Sequence, residues 1–427
     1  MRPTTTLSVS CVAALFLGAC SGSKNNAEPS PPGPSDSGEG EAGGPTWYGD
    51  VQPVLAENCT RCHQPGGLAP GDFTDPDVVT ALAPAMLGAM ESGSMPPEAS
   101  DPACRDYVGS EHLVLPQASL DIFSAWVDHD MPMGPPGDGS QVEVVHIDGN
   151  LEDPDLTVMM EAAYTPTFSD ASNPGNEYRC FAIPPGELAG KSVTAMAPII
   201  GTSTLVHHIV LFTLPETSVD SDMRDPNGWD CIDGMGSGAA NGMLTAWAPG
   251  MLPVEFPEGH GLAVEEDQYL IAQMHYFYAG PEADGLSDQS GYAFNVADGP
   301  VTPVFMAPVG NFGFSIPPGA ADYSITDTFK NSFTDLKVLG MFPHMHDLGS
   351  YFDARIKHED GTESCLVNGA WNFNNQMTYQ FNEPAEFKLG DEVEFSCSWD
   401  NSEGTETITY GERTDEEMCF FFTFVTL

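Results

Sequence analysis

Apolar and polar positions alternate with a period of two through much of the chain's second half. The clearest run is Glu392–Trp399, where Val393, Phe395, Cys397 and Trp399 alternate with Glu392, Glu394, Ser396 and Ser398. That pattern predicts a strand buried on one face and wetted on the other, as antiparallel sheets provide. Val193–Ile200, Leu205–Leu214, Gln268–Tyr278, Leu336–Met341 and Met418–Leu427 are further short runs broken by Gly and Pro. So many short strands predict two packed all-β domains, residues 151–300 and 301–427. The period differs in residues 47–134. Trp47, Val51, Val54 and Leu55 recur at helical spacing, and Leu115–Val127 predicts a closing helix with Leu120, Phe123, Trp126 and Val127 on one stripe. These elements predict a small all-α domain, joined to the β region by a linker at 135–150 that opens in Pro, Gly and Asp.

Upstream, Ser21–Pro45 is rich in Gly, Pro, Ser and acidic residues. It cannot bury a core, so residues 20–46 are expected to be a flexible tether. The chain opens with Met1-Arg2 and an apolar run from Leu7 to Leu17, too short to span a bilayer and read as a secretory signal. Leu17-Gly18-Ala19-Cys20 resembles a bacterial lipoprotein signal. Residues 1–19 are therefore expected to be removed, leaving Cys20 lipidated and the protein exported and anchored at the cell envelope, facing the periplasm or on the outer membrane.

Thirteen Lys and Arg stand against 62 Asp and Glu, a net charge of −49. Nucleic acid and anionic lipid head groups are poor partners for such a chain. Of ten cysteines, Cys11 would leave with the signal and Cys20 would carry lipid. Cys59 and Cys62 belong to a motif described next. Cys104, Cys180, Cys231, Cys365, Cys397 and Cys419 remain, an even number that predicts disulfides in an oxidising compartment without fixing their pairing.

Cys59-Thr60-Arg61-Cys62-His63 has the attachment spacing of c-type haem, two thiols for thioether bonds and an adjacent axial histidine. A redox dithiol or a zinc half-site would not need the trailing histidine. Gly93-Ser94-Met95-Pro96-Pro97 resembles the Met-Pro-Pro loop of small c-type cytochromes. Met95 is the expected second axial ligand, on a loop stiffened by proline; Met86, Met90, Met131 and Met133 compete for that place, of which Met86 and Met90 are expected to be helix core. Residues 47–134 thus read as a complete small cytochrome.

The histidines supply a second chemistry. His344 and His346 sit in Pro343-His344-Met345-His346-Asp347-Leu348-Gly349, directly after the Leu336–Met341 run. Residues i and i+2 of a strand share a face, so two imidazoles would stand side by side. His207 and His208 are adjacent, which on a regular strand would turn them to opposite faces. His275 lies in Gln273-Met274-His275-Tyr276, and Met418 lies in Asp415-Glu416-Glu417-Met418-Cys419. Five of the eleven histidines thus fall in three strand-like contexts, with one thioether, a soft ligand that favours cuprous copper.

In this order, with Tyr178-Arg179-Cys180 and Thr245-Ala246-Trp247-Ala248 as further fits, the motifs resemble the copper type II, ascorbate-dependent monooxygenases. The match runs from about Leu151 to Leu427. The resemblance implies two jelly-roll-like β-sandwiches and two mononuclear copper sites. His207, His208 and His275 would bind the electron-transfer copper, and His344, His346 and Met418 the copper at which O2 is activated. It also implies the disulfides Cys180–Cys231 and Cys397–Cys419, leaving Cys104 and Cys365 either free or bridged across domains. In the peptide-hydroxylating relatives an Arg two residues before the His-x-His pair, and an Asn and a Tyr after the Met, hold the substrate carboxylate. Here those positions are Phe342, Phe420 and Phe422, so an apolar or neutral substrate is expected. The expected reaction is hydroxylation of a C–H bond with O2, electrons reaching the copper through the fused haem from a redox donor. The other reading is a non-catalytic copper-binding or electron-transfer lipoprotein, which would not need the open, thioether-bearing site.

Overall fold

The computed structural model of the chain describes residues 44–60, 62–65, 69–97, 99–136, 149–170, 174–231, 242–249, 251–278, 280–373, 375–411 and 413–427. The signal, Cys20, nearly all of the tether and most of the linker lie outside the described residues.

From Leu156 onward the described residues are built almost wholly of strands. The Glu392–Asn401 strand shows why. Val393, Phe395, Cys397 and Trp399 are buried, and the residues between them are wetter. It sits inside a four-stranded sheet, ordered Ala320–Lys330, Glu392–Asn401, Gly349–Lys357 and Glu363–Ala370. A five-stranded sheet is ordered Trp229–Asp230, Asn176–Ile183, Gln268–Phe277, Val206–Pro215 and Met243–Trp247.

Both of these sheets pack on one nine-stranded sheet that runs through both halves of the β region. Leu156–Met159, Gly291–Val296, Ser192–Ile199 and His260–Ala263 form its first part, with the short Val254–Glu255 strand paired on Ser192–Ile199. Thr302–Gly310, Phe420–Thr426, Leu336–His344 and Tyr379–Phe387 form its second. The parts meet where Thr302, Pro303 and Val304 pair in parallel with His260, Gly261 and Leu262. Parallel neighbours need a long crossover, so no local turn signal marks this seam. One apolar cluster fills the first half and takes in Leu339, Phe342 and Phe424 from the second. Another, around Phe352, Phe395, Trp399 and Phe421, fills the second half.

At one end of the four-stranded sheet's strands, His358 bridges the Asp391 carboxylate (2.7 Å) and the Ser364 hydroxyl (2.8 Å). Asp391 also accepts from the Lys388 and Glu359 backbone N–H groups, so one buried carboxylate locks two hairpin ends.

The helical region contains Gln52–Asn58, Pro76–Glu91 and Gln117–Asp128, with a π-helical turn, Trp47–Val51, leading into the first. Asp75 caps the second helix by accepting from the Asp77 N–H, with Pro76 in its first turn. Trp47, Val51, Leu55, Met86, Met90, Phe123 and Trp126 share one core. Leu120 and Val127 are only partly buried against it. Among the described residues no helix is long and apolar enough to cross a membrane.

Residues 99–113 leave this helical core and dock on the second β half. Tyr107 and Leu113 join its apolar cluster, and Tyr107 pairs with Phe381 as an isolated bridge. Ser100 N–H donates to the Tyr379 hydroxyl (3.1 Å), and Asp101 N–H donates to Asn368 O (2.8 Å). Arg105 donates to the carbonyls of Cys365 and Glu383 (2.9 Å each). The Cys104–Cys365 disulfide closes the dock across 261 residues of sequence. Cys180–Cys231 and Cys397–Cys419 are also formed, as the resemblance implied.

Candidate metal centres

The first cluster lies on the five-stranded sheet. The Val206–Pro215 and Gln268–Phe277 strands pair in register from His208 onward, but the register shifts between Val206 and His208. His207 is the extra residue of this bulge, so two adjacent imidazoles can serve one site instead of facing opposite ways. His208 stands directly across from His275. Its Nδ1 lies 3.2 Å from Nδ1 of His207 and 3.2 Å from Nδ1 of His275. The ligand atoms of the three residues all fall within 4.8 Å of one another.

Second partners orient the rings. His275 Nε2 is 2.8 Å from Asn176 Oδ1, which can only accept, so Nε2 carries the proton and Nδ1 offers its lone pair. Tyr178 stacks flat on His275 at 4.2 Å. Burial, with the neighbouring imidazoles behind it, holds His208 and His275 well below the usual histidine range. Both are neutral at pH 7, the form that binds a metal.

The second cluster is built at the end of the Leu336–His344 strand. His344 is its last residue and His346 lies in the turn beyond, with ring centroids 5.2 Å apart and planes at 83°. The pair meets, but through a turn and not through strand alternation. His344 Nδ1 lies 2.9 Å from Gln376 Oε1, and His346 Nδ1 lies 3.0 Å from Glu416 O. Each acceptor fixes the proton on Nδ1 and leaves Nε2 available. Burial is the main cause lowering both histidines, and it pushes His344 down to about 3.

Met418 is half-buried just before the Phe420–Thr426 strand. Glu417, fully buried, ties it to His346. Its Oε2 accepts from the N–H of His346 (2.9 Å), the N–H of Met418 (3.2 Å) and the Trp399 indole (2.9 Å), while Oε1 accepts from Leu348 N–H (2.7 Å). Trp371 donates to His346 O (3.2 Å), and a Cβ at Gly349 would collide with its ring. That explains the glycine ending the His-Met-His-Asp-Leu-Gly stretch.

The two clusters are close. The Phe373 ring lies 5.5 Å from His207 and 6.5 Å from His346. The Tyr178 hydroxyl, above His275, bonds Thr414 Oγ1 at 2.8 Å, in the segment that leads to Met418. Beside His344 lies an aromatic patch. Phe422 neighbours His344 (6.5 Å) and stacks with Phe342 (6.1 Å) and Phe420 (6.4 Å). Phe420 in turn packs on Phe312 (4.9 Å), which is exposed. Phe424, on the same strand face, is core.

In the helical region His63 Nδ1 lies 2.7 Å from Pro70 O, and its ring stacks on Phe73 at 4.1 Å. Cys59 and Cys62 are half-buried and form no disulfide. Met86 and Met90 are buried in the helical core. Met95 stands on the turn after the second helix with an exposed side chain. Asn176, Trp371, Phe373, Gln376 and Glu417 were not legible as site residues, because none carries a spacing signal. Glu417, beside Met418 in an otherwise wet acidic run, looks in sequence like surface.

Residues 169–281 match the N-terminal domain of the copper type II ascorbate-dependent monooxygenases, and residues 308–425 match the C-terminal domain. Peptidylglycine alpha-amidating monooxygenase of Rattus norvegicus is 25% identical over 228 residues, covering 50% of this chain and 22% of that protein. The human Putative DBH-like monooxygenase protein 2 is 24% identical over 304 residues, covering 66% of this chain and 59% of that protein. This chain thus spans 22% and 59% of the lengths of these two relatives. The major capsid protein P2 of bacteriophage PM2 covers 64% of this chain and 97% of its own at 10% identity, with a TM-score of 0.26, too loose a fit to carry an argument. With both matched domains in order, each carrying one of the two histidine clusters, residues 169–281 and 308–425 of this chain belong to the copper type II ascorbate-dependent monooxygenase family.

Proposed function

We propose that the protein is a copper-dependent monooxygenase that places one atom of O2 into a C–H bond of an apolar or neutral small molecule. The other atom leaves as water, which requires two electrons and two protons. The observation that carries this reading is the pair of histidine clusters on neighbouring sandwiches, with His208, His275, His344 and His346 held below the usual histidine range by burial. The donor chemistry fits copper at both. Three imidazole nitrogens of His207, His208 and His275 converge without a carboxylate, and His344 and His346 offer Nε2 beside the Met418 segment. Copper bound there supplies single-electron storage at the first site and O2 activation at the second.

The chain's own residues do the rest. Asn176, Gln376 and the Glu416 carbonyl hold ring orientation, and Glu417 fixes the backbone beside His346 and Met418. Phe420 and Phe422, backed by the buried Phe342, present an apolar wall where a carboxylate-binding substrate site would need a cation. A charged substrate would lose its hydration there without gaining a partner.

Electrons are proposed to enter through a c-type haem on Cys59 and Cys62, with His63 as one axial ligand and Met95 as the other. The His63 Nδ1 bond to Pro70 O supports this, since it leaves Nε2 for the iron. A redox donor would serve the haem, and lipid on Cys20 would anchor the protein at the envelope.

Metal and haem analysis of the full-length protein tests the proposal. Two coppers and one covalent haem per chain are expected, the haem by the pyridine haemochrome assay. Replacing Cys59 and Cys62 by serine should abolish covalent haem and leave the copper count at two. A parent protein holding fewer than two coppers would overturn the two-centre reading, and one without covalent haem would overturn the electron route.

A further inference from the structure

His207 joins the first cluster only through a bulge. His208 faces His275 across a regular pair, whereas the register shifts between Val206 and His208. A bulge keeps its place only if the strand's entry is held from outside the ladder. Here the entry is a tight turn. Thr202 O accepts from the N–H groups of Leu205 (3.0 Å) and Val206 (3.2 Å), and Leu205 O accepts from Phe277 N–H (2.9 Å).

Asp288, a fully buried carboxylate outside both strands, holds that turn. Its Oδ1 accepts from Thr202 N–H (2.9 Å) and the Ser290 hydroxyl (2.8 Å), and its Oδ2 accepts from the Tyr276 hydroxyl (3.1 Å). Ser290 Oγ in turn accepts from Gly201 N–H (3.1 Å). Tyr276 follows His275 directly and pairs with Val206. One carboxylate therefore ties the entry of the His207-His208 strand to the strand that carries His275. Burial, with Asp288 beside it, raises Tyr276 far above the usual tyrosine range, so its hydroxyl keeps the proton it donates. Asp288 is itself fixed, its N–H and C=O both paired with Tyr164 at 2.8 Å. A Cβ on Gly201 would stand 2.8 Å from Asp288 Oδ1, so the turn reaches the carboxylate only because that residue is glycine.

We infer that Asp288 is a positioning residue for the first metal cluster, and that what it secures is His207 as the third ligand. This rests on the copper reading above. His208 and His275 are placed by strand pairing and do not need the anchor. Without Asp288, the Thr202 N–H and the Tyr276 hydroxyl lose a buried acceptor, and the bulge is free to relax. Strand alternation then turns His207 away from the face that holds His208.

The test counts ligands. The full-length chain carrying His344→Ala is loaded with one equivalent of copper, reduced with ascorbate and read by copper X-ray absorption. Three imidazole ligands are expected. Asp288→Leu, close in shape but with no acceptor, should leave two and match His207→Ala. Asp288→Asn keeps an oxygen toward Thr202 and Ser290 and should retain three. Gly201→Ala displaces the turn but spares the carboxylate. It should also leave two, and it decides the matter if Asp288→Leu does not fold. Three ligands in Asp288→Leu or in Gly201→Ala would overturn the inference, the packing of His207 on Phe277 and Phe373 then being sufficient. Complete loss of copper where His207→Ala retains it would overturn it too, since the anchor would then serve the whole cluster. In both cases the copper reading stands. A His344→Ala chain that binds no copper with the anchor intact would overturn that reading as well.

Discussion

His208→Ala is expected to lower the copper content from two per chain to one and to stop turnover. His208 is the centre of the first cluster, its Nδ1 being 3.2 Å from Nδ1 of both His207 and His275. Without it, the two outer rings no longer share a common neighbour at ligand distance. Loss of a mere orienting hydrogen bond lowers metal affinity by about 10–100-fold, and loss of a ligand should exceed that. The second cluster should be untouched, because His344 and His346 take their orientation from Gln376, Glu416 and Glu417 on the other half. Copper analysis after dialysis against a mild chelator, paired with O2 uptake under a reductant, decides the matter. Two retained coppers, or full turnover with one, would show that His208 is not part of a required site.

Glu417→Gln should destabilise the protein by about 1–3 kcal/mol and weaken copper binding at the second site by about 10–100-fold. The carboxylate accepts four hydrogen bonds at full burial. Glutamine keeps one oxygen and puts an NH2 group where the other oxygen faces N–H donors, so at least one buried donor pair is set against itself. Burial pushes the Glu417 carboxyl up to about 7, with its hydrogen bonds opposing that rise. The protonated acid can still accept through both oxygens, whereas the amide nitrogen cannot. A loss of about 2 kcal/mol lowers the melting temperature by roughly 4–8 °C in a cooperative unit of about 150–250 residues, and by less in a larger one. Thermal melts and copper titration of the variant measure both effects. Parent-like values for both would mean that Glu417 does not organise the His346–Met418 pair.

Much of the fold can be read from alternation. Glu392–Trp399 becomes the strand Glu392–Asn401, and Leu205–Leu214 becomes Val206–Pro215. Period two reports which face is buried, and burial is what stabilises a half-wet strand. The long-range arrangement is not legible in this way. Nothing near Thr302 announces its parallel neighbour His260, and nothing around Tyr107 announces a place in the core of the second β half. Those contacts are set by complementary shape between segments far apart in the chain, not by local pattern. The same divide runs through the candidate site. Histidines and Met418 stand out by type and order, but the bulge that lets His207 join His208 is a register defect with no compositional mark. Phe373 and Glu417 matter only through what the fold places beside them. The cysteines illustrate both cases. Cys180–Cys231 and Cys397–Cys419 follow from the family's order, whereas Cys104–Cys365 depends on how residues 99–113 dock.

The central claim is that copper at these two clusters directs one oxygen atom of O2 into an uncharged organic substrate. Isotope labelling tests it most directly. The copper-loaded full-length protein is supplied with ascorbate, 18O2 and a panel of uncharged alkyl-aromatic compounds, and products are read by mass spectrometry. The account predicts hydroxylated product carrying one 18O atom per molecule, formed in the parent, lost on copper removal and lost in His344→Ala. Product whose oxygen comes from water, or label recovered only as peroxide and water across the whole panel, would contradict it.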